Sequence, residues 1–149
     1  MLFEFESDFA GSLRCIPMIV RQKLDLAGIK LSLRQWSRFS REDRGRLAEF
    51  PCETAADVAV CRSVILGLIE SCCDEPAVFL GPQEYDVWQR GDRMPEAVES
   101  QAAADGVAPP AAEVWADLSP LQRFALIKLA RSKHENENFV PAMKEFGIL

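Results

Sequence analysis

Imidazole is almost missing from this sequence: one histidine, His134, stands among 149 residues. Histidine is the usual general base near neutral pH and a principal nitrogen ligand for zinc. A Ser-His or Cys-His couple and a histidine-rich metal site therefore lack their main ingredient. The five cysteines do not make up for it. They stand at positions 15, 52, 61, 72 and 73, an odd number with no C-x-x-C pair, and the adjacent Cys72-Cys73 suits neither tetrahedral zinc nor an unstrained disulfide. A P-loop, a dinucleotide-binding glycine fingerprint and a Glu-x-x-His carboxylate motif are missing as well. No apolar run approaches the roughly 18 residues that span a bilayer. The expectation is a protein without catalytic residues, metal or cofactor, one that is not an enzyme and works by binding.

A basic excess is also lacking. The formal net charge is −6, which disfavours nucleic acid and anionic membrane as partners. The charge is unevenly spread. Nine basic residues and three acids lie between Arg14 and Arg46, whereas nine acids and two arginines lie between Glu75 and Asp117. Such polarity suits steering toward a protein partner, and it also describes two solvated faces that attract one another at close range. A nucleic-acid contact through the Arg34–Arg46 stripe is a weaker alternative. Met1 to Asp8 is acidic and does not read as a secretory leader, and the irregular cysteines do not read as a disulfide framework. Both features fit a reducing cytoplasm.

What is present is helical punctuation. Apolar residues make up 48% and charged residues 27%, enough to build one buried core without staples. Pro17 suits a first helical turn and Gly28 a left-handed stop, with Ile16, Val20, Leu24 and Ala27 on one face of the helix between them. Ser32 with Gln35, Ser40 with Asp43, and Thr54 with Asp57 each read as a helix start. The third opens an amphipathic helix whose stripe is Val58, Cys61, Ile65, Leu68, Ile69 and Cys72. Ser119-Pro120-Leu121-Gln122 is the clearest start of all and leads into a largely apolar, central helix. The last helix is predicted from about Asn138 to Phe146, closed by Gly147.

Residues 75 to 112 differ. They hold five of the nine prolines and three of the eight glycines, so the sequence predicts an irregular excursion with one short helix, Pro95 to Ala104. The fold class expected is all-α, a compact multi-helix bundle of about six helices in a single domain, 1–149, with this Pro/Gly-rich middle loop.

One internal echo links the two halves. Trp36-x-x-Phe39-Ser40-x-x-x-Arg44-x-x-Leu47 matches Trp115-x-x-Leu118-Ser119-x-x-x-Arg123-x-x-Leu126. Two helix–cap–helix junctions converging on the same physics explain it without a duplication, since no further matches extend the register.

Cys61 and Cys72 fall on the apolar stripe and read as core. Cys15 and Cys52 stand at helix borders, where a redox role is conceivable, but nothing nearby in sequence argues for a lowered pKa. The polar turn His134-Glu135-Asn136-Glu137-Asn138 reads equally well as a set of helix caps and as a recognition loop.

Several strings together resemble the nitrate-reductase-associated protein family. They are Leu13-Arg14-Cys15-Ile16-Pro17-Met18, Pro51-Cys52-Glu53-Thr54, Ser119-Pro120-Leu121-Gln122-Arg123-Phe124-Ala125-Leu126-Ile127-Lys128-Leu129, and His134-Glu135-Asn136 with Asn138-Phe139, Pro141-Ala142 and Glu145-Phe146-Gly147. The resemblance covers both ends and is weakest over the middle. It implies a small cytoplasmic bacterial protein linked to assimilatory nitrate reductase, a molybdenum-cofactor and iron–sulfur enzyme, and cyanobacterial members are associated with its maturation. The function expected is a non-catalytic accessory or maturation factor that binds nitrate reductase, its apo form, or a related molybdoenzyme. Arg14, Arg123, His134, Glu135, Asn136 and Asn138 are the candidate partner contacts. Arg14 and Arg123 read equally well as buried residues that fix helix packing. The alternative is a small-ligand or cofactor-binding helical domain, conceivably an enzyme of unrecognised type, with a polar pocket joining His134, Arg14 and Arg123.

Overall fold

The computed structural model describes residues 2–7, 15–82 and 85–149, which fall into two compact units. The first takes in residues 2 and 6–82, the second Phe3–Phe5 and 85–149. Among the described residues the protein is predominantly α-helical, with nine α-helices and one two-stranded sheet. The excess over the six helices expected comes from short ones of four to six residues.

In the first unit, α1 (Met18–Ala27) begins after Pro17 and ends at Gly28, whose φ of 72° is the left-handed stop anticipated from sequence. The Gly28 N–H returns to the Asp25 and Leu24 carbonyls. At the other end, the buried Glu6 carboxylate accepts from the Met18 N–H at 3.1 Å, an anion at the positive end of a helix. Replacing Gly28 with alanine puts a Cβ into left-handed backbone, so Gly28→Ala is expected to lower unfolding free energy by about 1 kcal/mol. A urea titration checks this.

β1 (Ile29–Lys30) follows at once and pairs antiparallel with β2 (Val78–Phe79), Ile29 opposite Phe79 and Lys30 opposite Val78. Between them come α2 (Leu33–Arg38), α3 (Arg41–Glu49) and α4 (Ala55–Cys72). Their predicted starts are all made. Ser32 and Gln35 form a capping box, as do Thr54 and Asp57, and the Ser40 side chain accepts from the Asp43 N–H. The α4 stripe turns Cys61, Ile65 and Ile69 into a core shared with Val20, Leu24, Ile29, Trp36, Phe39 and Leu47. Arg62 of α4 donates to the Ala27 carbonyl, supplying a cation to the C-terminus of α1, which has no basic residue in its own last turn.

The second unit holds α5 (Asp86–Gln89), α6 (Glu96–Ala104), α7 (Ala112–Asp117), α8 (Pro120–Arg131) and α9 (Phe139–Glu145). α8 has the expected capping box of Ser119 and Gln122 with Pro120 in its first turn, and Arg123 through Ile127 and Leu129 are buried. Gly147 closes the chain at φ 76°, and the Ile148 N–H returns to the Met143 carbonyl. Phe3–Phe5 belongs to this unit. Phe3 and Phe5 meet Phe146 edge-on, and the Glu145 carboxylate accepts from the Glu4 and Phe5 N–H groups at 3.0 and 2.8 Å.

The middle is more ordered than predicted. The helix expected at Pro95 to Ala104 is α6, but β2 and α5 also lie within 75–112. Neither is legible locally, because each is held from far away in sequence. The Leu80 N–H bonds the Gly28 carbonyl, and the carbonyls ending α5 bond Arg123.

The echo also reaches further than its register suggested. Both units run helix, left-handed glycine, extended link, short helix, cap, helix. Pro17 and Pro95 precede the first helix, Gly28 and Gly106 follow it, and Val20 and Val98 are both fully buried within it. Eight positions separate Gly28 from Trp36 and nine separate Gly106 from Trp115. That single extra residue breaks the alignment. Trp36 and Trp115 then take equivalent places, each bonding its N–H to the carbonyl four residues back, before Phe39-Ser40 and Leu118-Ser119 adopt the same extended backbone. A repeated module therefore accounts for the echo better than a chance match at the junctions alone.

Candidate functional site

Arg123 projects from the first turns of α8 and is 4% exposed. Its Nε donates to the Trp88 carbonyl at 2.8 Å and its Nη2 to that of Gln89 at 3.0 Å. Nη1 reaches the carbonyls of Trp115 and Ala116, both at 3.3 Å, and that of Leu118. The guanidinium thus caps the C-termini of α5 and α7 together, neutralising two negative helix ends that have no basic residue of their own. Burial pushes its pKa down from the usual arginine value. Gly91 makes the clamp possible, since a Cβ there would lie 2.9 Å from the Ala116 Cα and 3.0 Å from Arg123 Nη1.

This geometry gives Arg123 the packing role weighed in the sequence reading. Its donors are spent on backbone carbonyls, so it presents no charge to a partner. The polar pocket around His134 and Arg123 loses its basis for the same reason. Arg14 lies outside the described residues.

The remaining candidates share one turn. The Ser132 hydroxyl, at the C-cap of α8, accepts from the His134 and Glu135 N–H groups at 3.2 and 2.9 Å. A 3-10 turn, Asn136–Asn138, follows and is closed by the Asn138 N–H on the Glu135 carbonyl. The turn's backbone is therefore fixed by its own bonds. His134 is exposed, while Glu135, Asn136 and Asn138 are half-buried. Asn138 occupies the N-cap of α9 but makes no side-chain cap bond, so capping does not explain that residue.

Sequence reasoning did not find the cleft that opens beside this turn within the same unit. It has a volume of about 840 Å³ and is lined by Arg90, Arg93 and Arg131 together with Asp86, Asp92, Glu96 and Glu99. Arg131 ends α8 and leads directly into Ser132, so the cleft and the turn are continuous. Arg90 and Asp92 lie 3.5 Å apart, both well exposed, a pair too solvated to hold much energy. A cleft with fixed charges of both signs suits a polar protein surface better than a compact apolar ligand.

Other charged features are settled within the first unit. Arg34 lies 3.4 Å from Glu75 and Arg38 lies 3.9 Å from Asp74, so part of the basic stripe meets the start of the acidic segment. Arg44 stacks over Trp36. Among the described residues no three metal-ligating side chains converge, and no helix is long and apolar enough to cross a membrane.

The fold and these contacts define a predominantly helical protein of repeated helix–cap–helix modules, its helix ends capped by remote charges, with a charged surface cleft. The chain belongs to the family of conserved nitrate reductase-associated proteins, whose model matches residues 2–146. No curated protein and no solved structure matches it.

Proposed function

We propose that this protein is a non-catalytic accessory factor that binds nitrate reductase, in its apo form above all, and holds it competent for cofactor loading. The observation that carries the proposal is the family match over nearly the whole chain. The surface it uses is the cleft lined by Arg90, Arg93 and Arg131 with the adjoining turn of His134, Glu135, Asn136 and Asn138. A rigid turn beside charges of both signs gives orientation and partner choice more than raw affinity.

Deleting the gene in a host that carries nitrate reductase tests the role. The enzyme protein is expected to accumulate with activity reduced several-fold and with incomplete cofactor content. Affinity-tagged chain is expected to co-purify nitrate reductase polypeptide from the complemented strain. Full activity and full cofactor content in the deletion strain would contradict the proposal.

A further inference from the structure

Lys23, on α1, is 4% exposed, and its Nζ donates to the carbonyls of Leu47 at 2.8 Å and Ala48 at 2.9 Å. Both carbonyls belong to the last turn of α3, so the ammonium caps that helix from a distance. Desolvation lowers its pKa, and the charges that oppose this effect are those of Cys61 and Cys52. Among the described residues no carboxylate forms an ion pair with Lys23. A buried cation needs a counter-charge, and here two thiols are placed to provide it.

Cys61 is 1% exposed on α4, and Cys52 is half-buried in the segment just before that helix. Cys52 packs against the core cluster that contains Cys61, and the two thiols hydrogen-bond to each other. That bond, helped by Lys23 and opposed by burial, brings the Cys61 thiol down to about 7. The same bond, with burial and the charge on Cys61, pushes Cys52 far up. The charged groups facing the pair are Lys23 from α1 and Asp57 from the first turn of α4. One proton is shared between two sulfurs, and the negative charge stays beside the ammonium.

We propose that Cys52, Cys61 and Lys23 form a redox-active dithiol site whose substrate is a small disulfide of the glutathione type. The shared proton passes from Cys52 to Cys61, and the Cys52 thiolate attacks one sulfur of the disulfide. The S–S bond breaks, leaving a mixed disulfide on Cys52 and a departing thiolate. That thiolate takes the proton back from Cys61, whose sulfur attacks Cys52 and expels the second thiolate. Two protein thiols are oxidised to one disulfide and one small disulfide is reduced to two thiols. Cys52 is the entry sulfur because it is the reachable one, and Lys23 favours the thiolate at Cys61 for the second attack. The site lies wholly in the first unit and does not depend on the association with nitrate reductase.

The full chain is incubated with oxidised glutathione at several pH values, quenched with acid, alkylated and mapped by peptide mass. A Cys52–Cys61 cross-link is expected as the main product, with Cys15, Cys72 and Cys73 alkylated. Its rate of formation should rise with an inflection near 7. In Cys61→Ser, which leaves Cys52 without a resolving thiol, a glutathione adduct on Cys52 should accumulate instead. Free Cys52 and Cys61 in wild type, a stable wild-type adduct without cross-link, pairing with another cysteine, or an inflection in the ordinary thiol range would each overturn the proposal. The wild-type map stands even if the variant fails to fold.

Discussion

Arg123→Met is expected to be the most damaging single substitution in the second unit, lowering unfolding free energy by about 3–5 kcal/mol. Methionine fills much of the same volume, so the loss is one of charge and hydrogen bonding, not of packing. The change leaves the carbonyls of Trp88, Gln89, Trp115, Ala116 and Leu118 without their common donor. Each buried carbonyl stripped of a partner costs about 1–3 kcal/mol, reduced where water can enter. Two helix C-termini also lose the positive charge that offsets their dipoles. Arg123→Lys keeps the charge but replaces a planar fork by one nitrogen that cannot reach five acceptors. It should restore less than half of the loss. Denaturant titration followed by tryptophan fluorescence reads both variants, since Trp88 and Trp115 sit beside the clamp. A loss below about 1 kcal/mol for Arg123→Met would show that the clamp does not hold the unit together.

The paired tryptophans give the second large effect. Trp36 is 0% and Trp115 1% exposed, and both end the short helix of their module. Truncation to alanine at either position is expected to cost about 3–5 kcal/mol through lost burial and the cavity left behind. Phenylalanine separates the two. The indole N–H of Trp115 is buried and makes no hydrogen bond among the described residues. Trp115→Phe therefore removes an unsatisfied donor along with some volume, whereas Trp36→Phe gains no such compensation. Trp115→Phe is expected to be milder by about 1 kcal/mol. Equal losses for the two phenylalanine variants, measured in the same urea titration, would contradict that reading of the indole.

Much of this fold was legible because helix caps are local. Ser32-Gln35, Ser40-Asp43, Thr54-Asp57 and Ser119-Gln122 each complete their bond within three residues, so the sequence window contains both partners. Gly28 and Gly147 were readable for a similar reason, since a left-handed stop needs one residue type at one place. The other helix ends follow a different rule. Lys23 reaches carbonyls 24 and 25 positions away, while Arg62 and Arg123 reach others 35 away. No local pattern records such pairs, so Arg123 could be placed neither in the core nor at the surface from sequence. The short α5 was missed for the same reason, because its cap is that distant guanidinium. The repeated module was hidden by one added residue in its second copy. The cleft was invisible because residues 86–99 and Arg131 meet only after folding. For the turn, sequence identified the right segment, and structure removed one of its two explanations at Asn138. The low thiol pKa at Cys61 was likewise out of reach, since Lys23 stands 38 positions earlier in the chain.

The functional proposal meets its most direct test in a calorimetric titration of purified protein into purified apo nitrate reductase, repeated with Arg93→Glu/Arg131→Glu. Both arginines are exposed and line the cleft, so the double variant should keep the wild-type circular dichroism and melting curve. The expected result is saturable binding for the wild type, weakened about tenfold or more by the charge reversals and by added salt. No binding by the wild type, or binding that the double variant leaves unchanged, would contradict the proposed docking surface, and the former would contradict the accessory role itself.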